Sequence, residues 1–304
     1  MIGAAGSPAA SHLGARMEKL LTILVFGLAT SGIYALMAVG VALIYGVGRV
    51  INFAHGAFYT LGAYLTYVYA SRLGCGWWLG GALAIASVAL IAAAFDRFLV
   101  EPLREHEIIL WIMTFAFAFA VRELVVIIFG ARPYSIPAFA PGSLSVLGQT
   151  IAAQRLLIVG TSGAAIGLLW VFLYRTRTGK ALRAVAQNRT GAHLVGIPVK
   201  AAHTAVMAIS AGLAALAGII IAPISVVTPD MGLEPLLMSF TIVILGGIGS
   251  LRGSLVAALI VGYVGALVSF LWNPELVTFI ALAMVFGVLI VRPTGLFGLA
   301  VERA

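Results

Sequence analysis

The chain alternates between long apolar runs and short charged links. Nine runs can be delimited: 20–48, 50–71, 73–95, 108–131, 156–174, 201–229, 235–251, 253–274 and 276–291, of which only 108–131 carries internal charges, Arg122 and Glu123. Several exceed the roughly 20 residues that cross a hydrocarbon core as a helix. The pattern predicts an all-α, polytopic transmembrane helical bundle of eight to nine spans. The run 50–71 opens on polar residues and is interrupted by glycine, so it is expected to be broken or re-entrant; lipid tolerates irregular backbone only where it lines a cavity or packs inside protein.

The links divide the rest. Residues 1–19 are small, polar and unpatterned and read as an unstructured leader, with Met17 the expected true start. Residues 20–298 form one transmembrane domain, and 299–304 a tail. The stretch Arg132–Gln154 has three prolines and little helical periodicity and reads as a loop. The link Arg175–Lys200 (RTRTGKALRAVAQNRTGAHLVGIPVK) holds six Lys/Arg and no Asp or Glu. Basic links mark the cytoplasmic side. Placing this one inside puts Asp230, Glu234 and Glu275 outside, and Arg252, Arg292 and Arg303 inside, with a cytoplasmic C-terminus. Counting backwards puts Arg16 and Lys19 outside, against the bias, so the N-terminal side stays open unless 50–71 fails to cross.

Composition narrows the class. The chain is 62% hydrophobic and 9% charged, with a mean hydropathy of +1.13, which leaves too little polar surface for a soluble protein of this size. The net charge of +8 lies in short links where orientation explains it, so nucleic acid is excluded as a partner and membrane lipid is expected. Cys75 is the sole cysteine, so neither an intrachain disulfide nor a cysteine metal site is available. No G-x-S-x-G, H-E-x-x-H or Walker motif is present, and Gly179-Lys180 lacks the upstream glycine of a phosphate loop. The chain reads as a non-enzyme with no cofactor, no catalytic residue and no metal.

Polar residues inside the runs are the candidate chemistry. Asn52 and His55 (INFAHG) stand three apart, on one face if 50–71 is helical there, with Tyr34, Tyr45 and Thr60 as companions along a solute path. The alternative is an interfacial helix start capped by Asn52. A lone histidine without a second ligand at metal spacing argues against a metal site. Arg122 and Glu123 are immediate neighbours, point to different faces and should not neutralise each other; they are expected to pair with other helices. Glycine pairs such as Gly163/Gly167 and Gly249/Gly253 predict close helix packing, and Gly246-Gly247-Ile248-Gly249 can also break a helix towards a cavity. The basic link parses into a helix over Lys180–Arg189, a second short helix capped by Thr190, and a stop at Gly196 and Pro198. A plain orientation signal is the competing explanation of that link.

Taken in order, five motifs resemble the LivH-type permease family, the membrane subunit of branched-chain amino acid ABC importers. They are Tyr34-Ala35-Leu36 with Gly40 and Tyr45-Gly46; INFAHG (51–56) with Gly62-Ala63-Tyr64; GKALRAVAQNRTGAHLVGI (179–197); LGGIGSL (245–251); and RPTGLFG (292–298). The resemblance covers nearly the whole chain from Leu20. It implies a multi-pass protein of the bacterial inner membrane that moves a small solute inward by alternating access. Its implied partners are cytoplasmic ATP-binding subunits, a second related permease and a periplasmic solute-binding protein. It makes 175–200 the coupling loop, with Gly179, Lys180, Arg183, Ala184, Gln187, Asn188 and Gly196 at the ATPase contact, and it puts Tyr34, Tyr45, Asn52, His55, Thr60, Gly246, Gly247 and Gly249 on the pathway. Two departures stand out: Thr60 replaces a common Met, and Gln187-Asn188 replaces a more acidic pair. The cargo stays open between branched-chain or other small neutral amino acids and urea, short amides or another small solute. Outside the family, an ion-coupled carrier or a channel is the alternative.

Overall fold

The computed structural model describes residues 8–146 and 149–298; the expected tail, 299–304, lies outside them. Eleven α-helices and one hairpin are described: α1 (Pro8–Gly48), α2 (His55–Tyr67), α3 (Trp77–Phe95), α4 (Glu107–Phe129), β1 (Ser143–Val146), β2 (Gln149–Ala152), α5 (Ala153–Arg175), α6 (Arg177–Gln187), α7 (Arg189–Leu194), α8 (Val199–Ile221), α9 (Leu233–Gly246), α10 (Leu251–Leu271) and α11 (Leu276–Val291). The protein is a helical membrane bundle. Six helices are long and apolar enough to cross a membrane, and α9 and α11 are shorter apolar helices. α1 begins at Pro8, inside the stretch expected to be an unstructured leader. The expected loop 132–154 contains the antiparallel hairpin β1–β2, and Tyr134 bridges to Val227. Its prolines precede the strands, which is why the turn signal masked them.

Two ends of the bundle are defined by these links. One carries α6 and α7 and is called the basic end; the other carries the hairpin. Gly48, at the close of α1, faces Arg104 and His203 at the basic end, while Arg155 stacks on Phe26 at the hairpin end. α1 therefore enters from the hairpin end. The run 50–71 is broken as expected, since 49–54 is non-helical, yet α2 continues to the hairpin end, where Tyr64 packs on Phe129 and Tyr134. It is not re-entrant. Residues 16–19 and the hairpin therefore lie at the opposite end from α6 and α7.

Small residues set the packing. In hydrocarbon, helices gain little from expelling water, so close backbone approach and dispersion hold them together. A Cβ on Gly262 would lie 2.6 Å from Ser31 Cα, joining α1 to α10, and one on Gly62 would lie 2.6 Å from Ala215 Cα, joining α2 to α8. Of the expected packing glycines, Gly253 meets Gly246 backbone to backbone, while a Cβ on Gly249 would stand 3.7 Å from Gly46 Cα. Gly163 and Gly167 face open space. α8 is the most enclosed of the long helices and carries a large share of the buried core with α1 and α2.

Candidate functional site

Two short helices begin inside the bundle. Asn52 accepts from Ala54 N at 3.0 Å and donates to Met207 Sδ at 3.2 Å, which turns the chain into α2. Asn52 thus precedes the helix instead of sharing a face with His55. His55 opens α2 and is fully buried, its ring 2.7 Å from where a Cβ on Gly40 would stand. Gly40 lies eight residues before Gly48, about 12 Å from the basic end at 1.5 Å per residue. The second short helix, α9, starts after Pro229-Asp230-Met231-Gly232. A Cβ on Gly56 would lie 2.6 Å from Gly232 O and one on Gly232 would lie 2.7 Å from Thr60 Oγ1, so the two helix starts cross backbone to backbone. Any side chain at either glycine would separate them.

Beside that crossing is a cavity of about 240 Å³. Phe53, Phe115, Phe119 and Leu236 form its apolar wall, Thr60 contributes a hydroxyl, and Arg122 and Asp230 stand in its lining. Its volume is just below the roughly 300–1,000 Å³ of drug-sized sites, which suits a small metabolite. Arg122 Nε donates to Asp230 Oδ1 at 2.7 Å and Nη2 to Oδ2 at 3.3 Å, a forked pair between α4 and the α8–α9 link. Arg122 also bonds Glu123, which corrects the expectation that these neighbours could not neutralise each other: the long guanidinium reaches across the helix face.

Of the residues expected on the pathway, Thr60 alone lines this cavity. Asn52 and His55 flank the lining residues Phe53 and Gly56 but are buried against α1 and α8. Tyr34 packs with the α9–α10 cluster. Tyr45 lies beside Gly249 near the basic end. Gly246, Gly247 and Gly249 close α9 at that end, away from the cavity. Gly247 (φ 103°) and Gly249 (φ 80°) adopt backbone conformations that favour glycine, and the terminal segment docks on them through Leu296 N to Leu245 O and Phe297 N to Gly246 O, 2.9 and 3.0 Å.

The basic link folds as α6 and α7. Thr176 caps α6 by accepting from Gly179 N at 3.0 Å, and Asn188 caps α7 by accepting from Gly191 N at 2.8 Å. The first helix starts three residues before the expected Lys180, and the second is capped by Asn188 instead of Thr190, because Asn188 is the residue whose extended backbone frees its side chain to reach forward. Gly196 takes φ 81°, as a stop requires. Gly179, Leu182 and Val185 are buried on the bundle. A Cβ on Gly179 would lie 2.6 Å from Leu173 Cα. Arg183 donates from Nε to Leu173 O at 3.0 Å and lies 4.3 Å over the Tyr174 ring. Ala184 is half-buried, whereas Lys180, Gln187 and Asn188 are exposed. Leu194 and Val195 are 81% and 75% exposed, an apolar tip on a charged link.

A buried ionic cluster lies under this unit. Asp96 (1% exposed) accepts from Thr204 at 2.6 Å and stands 4.0 Å from Arg104. Glu101 is 3.4 Å from Arg104 and 3.8 Å from Lys200. Burial pushes the Arg104 guanidinium below its ordinary value, and Glu101 and Asp96 pull it back. The cluster joins the α3–α4 link to the first turns of α8, directly after α7. Sequence reasoning passed over these residues and the cavity wall. Pro229-Asp230-Met231-Gly232 is a turn signal that marks the start of α9 within the apolar stretch. Among the described residues, no group of three or more His, Cys, Asp or Glu could hold a metal ion.

Residues 23–289 match the family profile described as branched-chain amino acid transport system, permease component. The chain is 29% identical over 287 residues to the high-affinity branched-chain amino acid transport system permease protein LivH of Escherichia coli K12, covering 90% of this chain and 93% of that one. It is equally, 29%, identical over 290 residues to BraD of Pseudomonas aeruginosa, named as the same kind of permease, covering 90% and 94%. A probable LivH from Methanocaldococcus jannaschii is 25% identical over 287 residues, covering 88% and 89%.

Proposed function

The chain belongs to the branched-chain amino acid transport permease family, and from that premise we propose that it is the inner-membrane permease subunit of an ABC importer. It carries branched-chain or other small neutral amino acids inward, driven by ATP hydrolysed in partner subunits at the basic end. In this reading the basic end and the C-terminus face the cytoplasm, and the hairpin end meets a periplasmic solute-binding protein. A second, related permease completes the membrane unit.

The observation that carries this reading is the construction of α6 and α7. The apolar side of α6 is seated on α5 through Gly179, while α7 ends in the uncovered Leu194 and Val195. An orientation signal needs charge alone; it needs neither two capped helices nor an apolar tip held in water. Helices of 11 and 6 residues are too short to persist unaided, so the packing of α6 on α5, and of α7 on α6 and α8, makes them a rigid lever. Lys180, Gln187 and Asn188 offer polar contacts beside that tip. Gly179, Arg183 and Ala184 tie the lever to the spans, and Gly196 turns the chain into α8. Movement of the ATPase cleft would then reach α5 and α8 together, and through α8 the His55 region and the crossing at Gly56 and Gly232.

The test is reconstitution in proteoliposomes with the ATP-binding subunits, the second permease and the binding protein. ATP-dependent accumulation of leucine or valine is expected. Accumulation by this chain alone, driven by an ion gradient without ATP, would overturn the reading in favour of a self-sufficient carrier.

A further inference from the structure

Resting on the permease reading, we propose that Arg122 and Asp230 form an exchangeable ion pair that receives a zwitterionic solute. The solute carboxylate takes the place of Asp230 on Arg122, its ammonium takes the place of Arg122 on Asp230, and its aliphatic side chain lies between Phe53, Phe115 and Phe119.

Three observations carry this. First, the cavity is apolar apart from Thr60 and these two charges, so a bound solute meets charge at one side only. That division matches a molecule with its charged groups on one carbon and an apolar remainder. Second, Asp230 grips Arg122 through both oxygens, at 2.7 and 3.3 Å. This is the two-pronged geometry that a free carboxylate reproduces. Third, the pair is open, with side chains 39% and 59% exposed, whereas Asp96 and Arg104 are 1% and 8% exposed. Little of this chain has to move for the pair to separate.

Depth and charge balance add direction. Arg122 is 15 residues beyond Glu107, so about 22 Å from the basic end at 1.5 Å per residue. Charges at such a depth face a partner or a wet vestibule, not lipid tails. Arg122, Glu123 and Asp230 sum to one net negative charge, which favours an ammonium and repels a lone anion. A zwitterion replaces one ion pair by two. An uncharged amide forms neither, and an amine or an acid alone only exchanges one pair for another.

The sole cysteine, Cys75, makes the test clean. Thr60→Cys in a Cys75→Ser background puts a thiol in the cavity wall of the assembled transporter, and its reaction with methyl methanethiosulfonate is timed. Leucine is expected to slow labelling at least fivefold, and 4-methylpentanamide to leave it unchanged. Protection should disappear in Arg122→Gln and in Asp230→Asn, and survive in the charge-keeping variant Asp230→Glu. Equal protection by the amide, or protection that persists in both neutral variants, overturns the inference. ATP-driven leucine uptake by vesicles carrying the unsubstituted protein separates the two levels: uptake there with protection indifferent to these charges overturns the ion-pair site alone, and no uptake there overturns the permease reading with it.

Discussion

The Thr204 hydroxyl donates to Asp96 Oδ2 across 2.6 Å, binding the second turn of α8 to the link between α3 and α4. Because α8 follows α7 directly, motion of the proposed lever would reach α3 and α4 through this contact. Asp96→Ala leaves the Thr204 hydroxyl only Lys200 O, at 3.3 Å, and leaves Arg104 buried beside Glu101 alone; breaking a buried ion pair costs about 3 kcal/mol. A lowered thermal midpoint in detergent is expected, with a smaller loss for Asp96→Asn, which keeps an acceptor. An Asp96→Ala protein that melts with the parent would show that the cluster contributes nothing.

Gly179 differs from most glycines of α5 and α6 in having no room. Gly179→Val places atoms into Phe172 and Leu173 of α5 and should detach α6, lowering ATP-driven uptake at least tenfold while the protein still inserts. Gly160→Ala and Gly167→Ala meet nothing within 4 Å, and uptake there is expected to stay within twofold of the parent. Equal uptake by all three variants would remove the seating of α6 from the mechanism.

The membrane class and the nine apolar segments were legible because an apolar run needs no tertiary knowledge to be recognised. The break before α2 was legible from INFAHG, and the stop at Gly196 from Gly followed two residues later by Pro. The cavity was less so. Its wall draws Phe53, Phe115, Phe119 and Leu236 from three distant segments, and each reads locally as ordinary lipid-facing apolar sequence. The glycine run 246–249 shows the converse: a strong local signal for broken helix, whose partner proved to be the terminal segment around Leu296 and Phe297. Arg122 was assigned by helix-face geometry, which neglects the reach of a guanidinium.

Arg183 holds the lever by a hydrogen bond to Leu173 O and by its lie over Tyr174. Arg183→Glu loses both and brings a carboxylate against a helix C-terminus, where negative charge is unfavourable. Gly196→Trp forces a bulky residue to φ 81°, a conformation that costs L residues about 1–2 kcal/mol. Both variants should insert normally and lose uptake. Full uptake by either would refute its place in coupling.

Leu194 and Val195 are exposed on a link that otherwise carries charge. If this tip enters a groove of the ATP-binding subunit, Leu194→Asp with Val195→Asp should lower co-purification of that subunit at least tenfold. Neither side chain packs in the core, so the thermal midpoint of the permease is expected to hold within about 2 °C, since exposed substitutions seldom exceed ±0.5 kcal/mol. Undiminished co-purification would place the ATPase contact elsewhere.

Gly56 and Gly232 let two helix starts cross at the cavity, and the contact is backbone on backbone, so neither side has a flexible atom to yield. Gly232→Ala should therefore displace α9 from α2 and reshape the wall at Thr60, abolishing uptake. The lever at the basic end is far from this point. Recruitment of the ATP-binding subunits and basal ATP hydrolysis should persist in the same variant, whereas Gly179→Val should impair the coupling of hydrolysis to the membrane subunit. Gly287→Ala, with nothing within 4 Å of its Cβ, is the matched control. Loss of subunit recruitment in Gly232→Ala would mean that the crossing supports the whole bundle instead of the solute path.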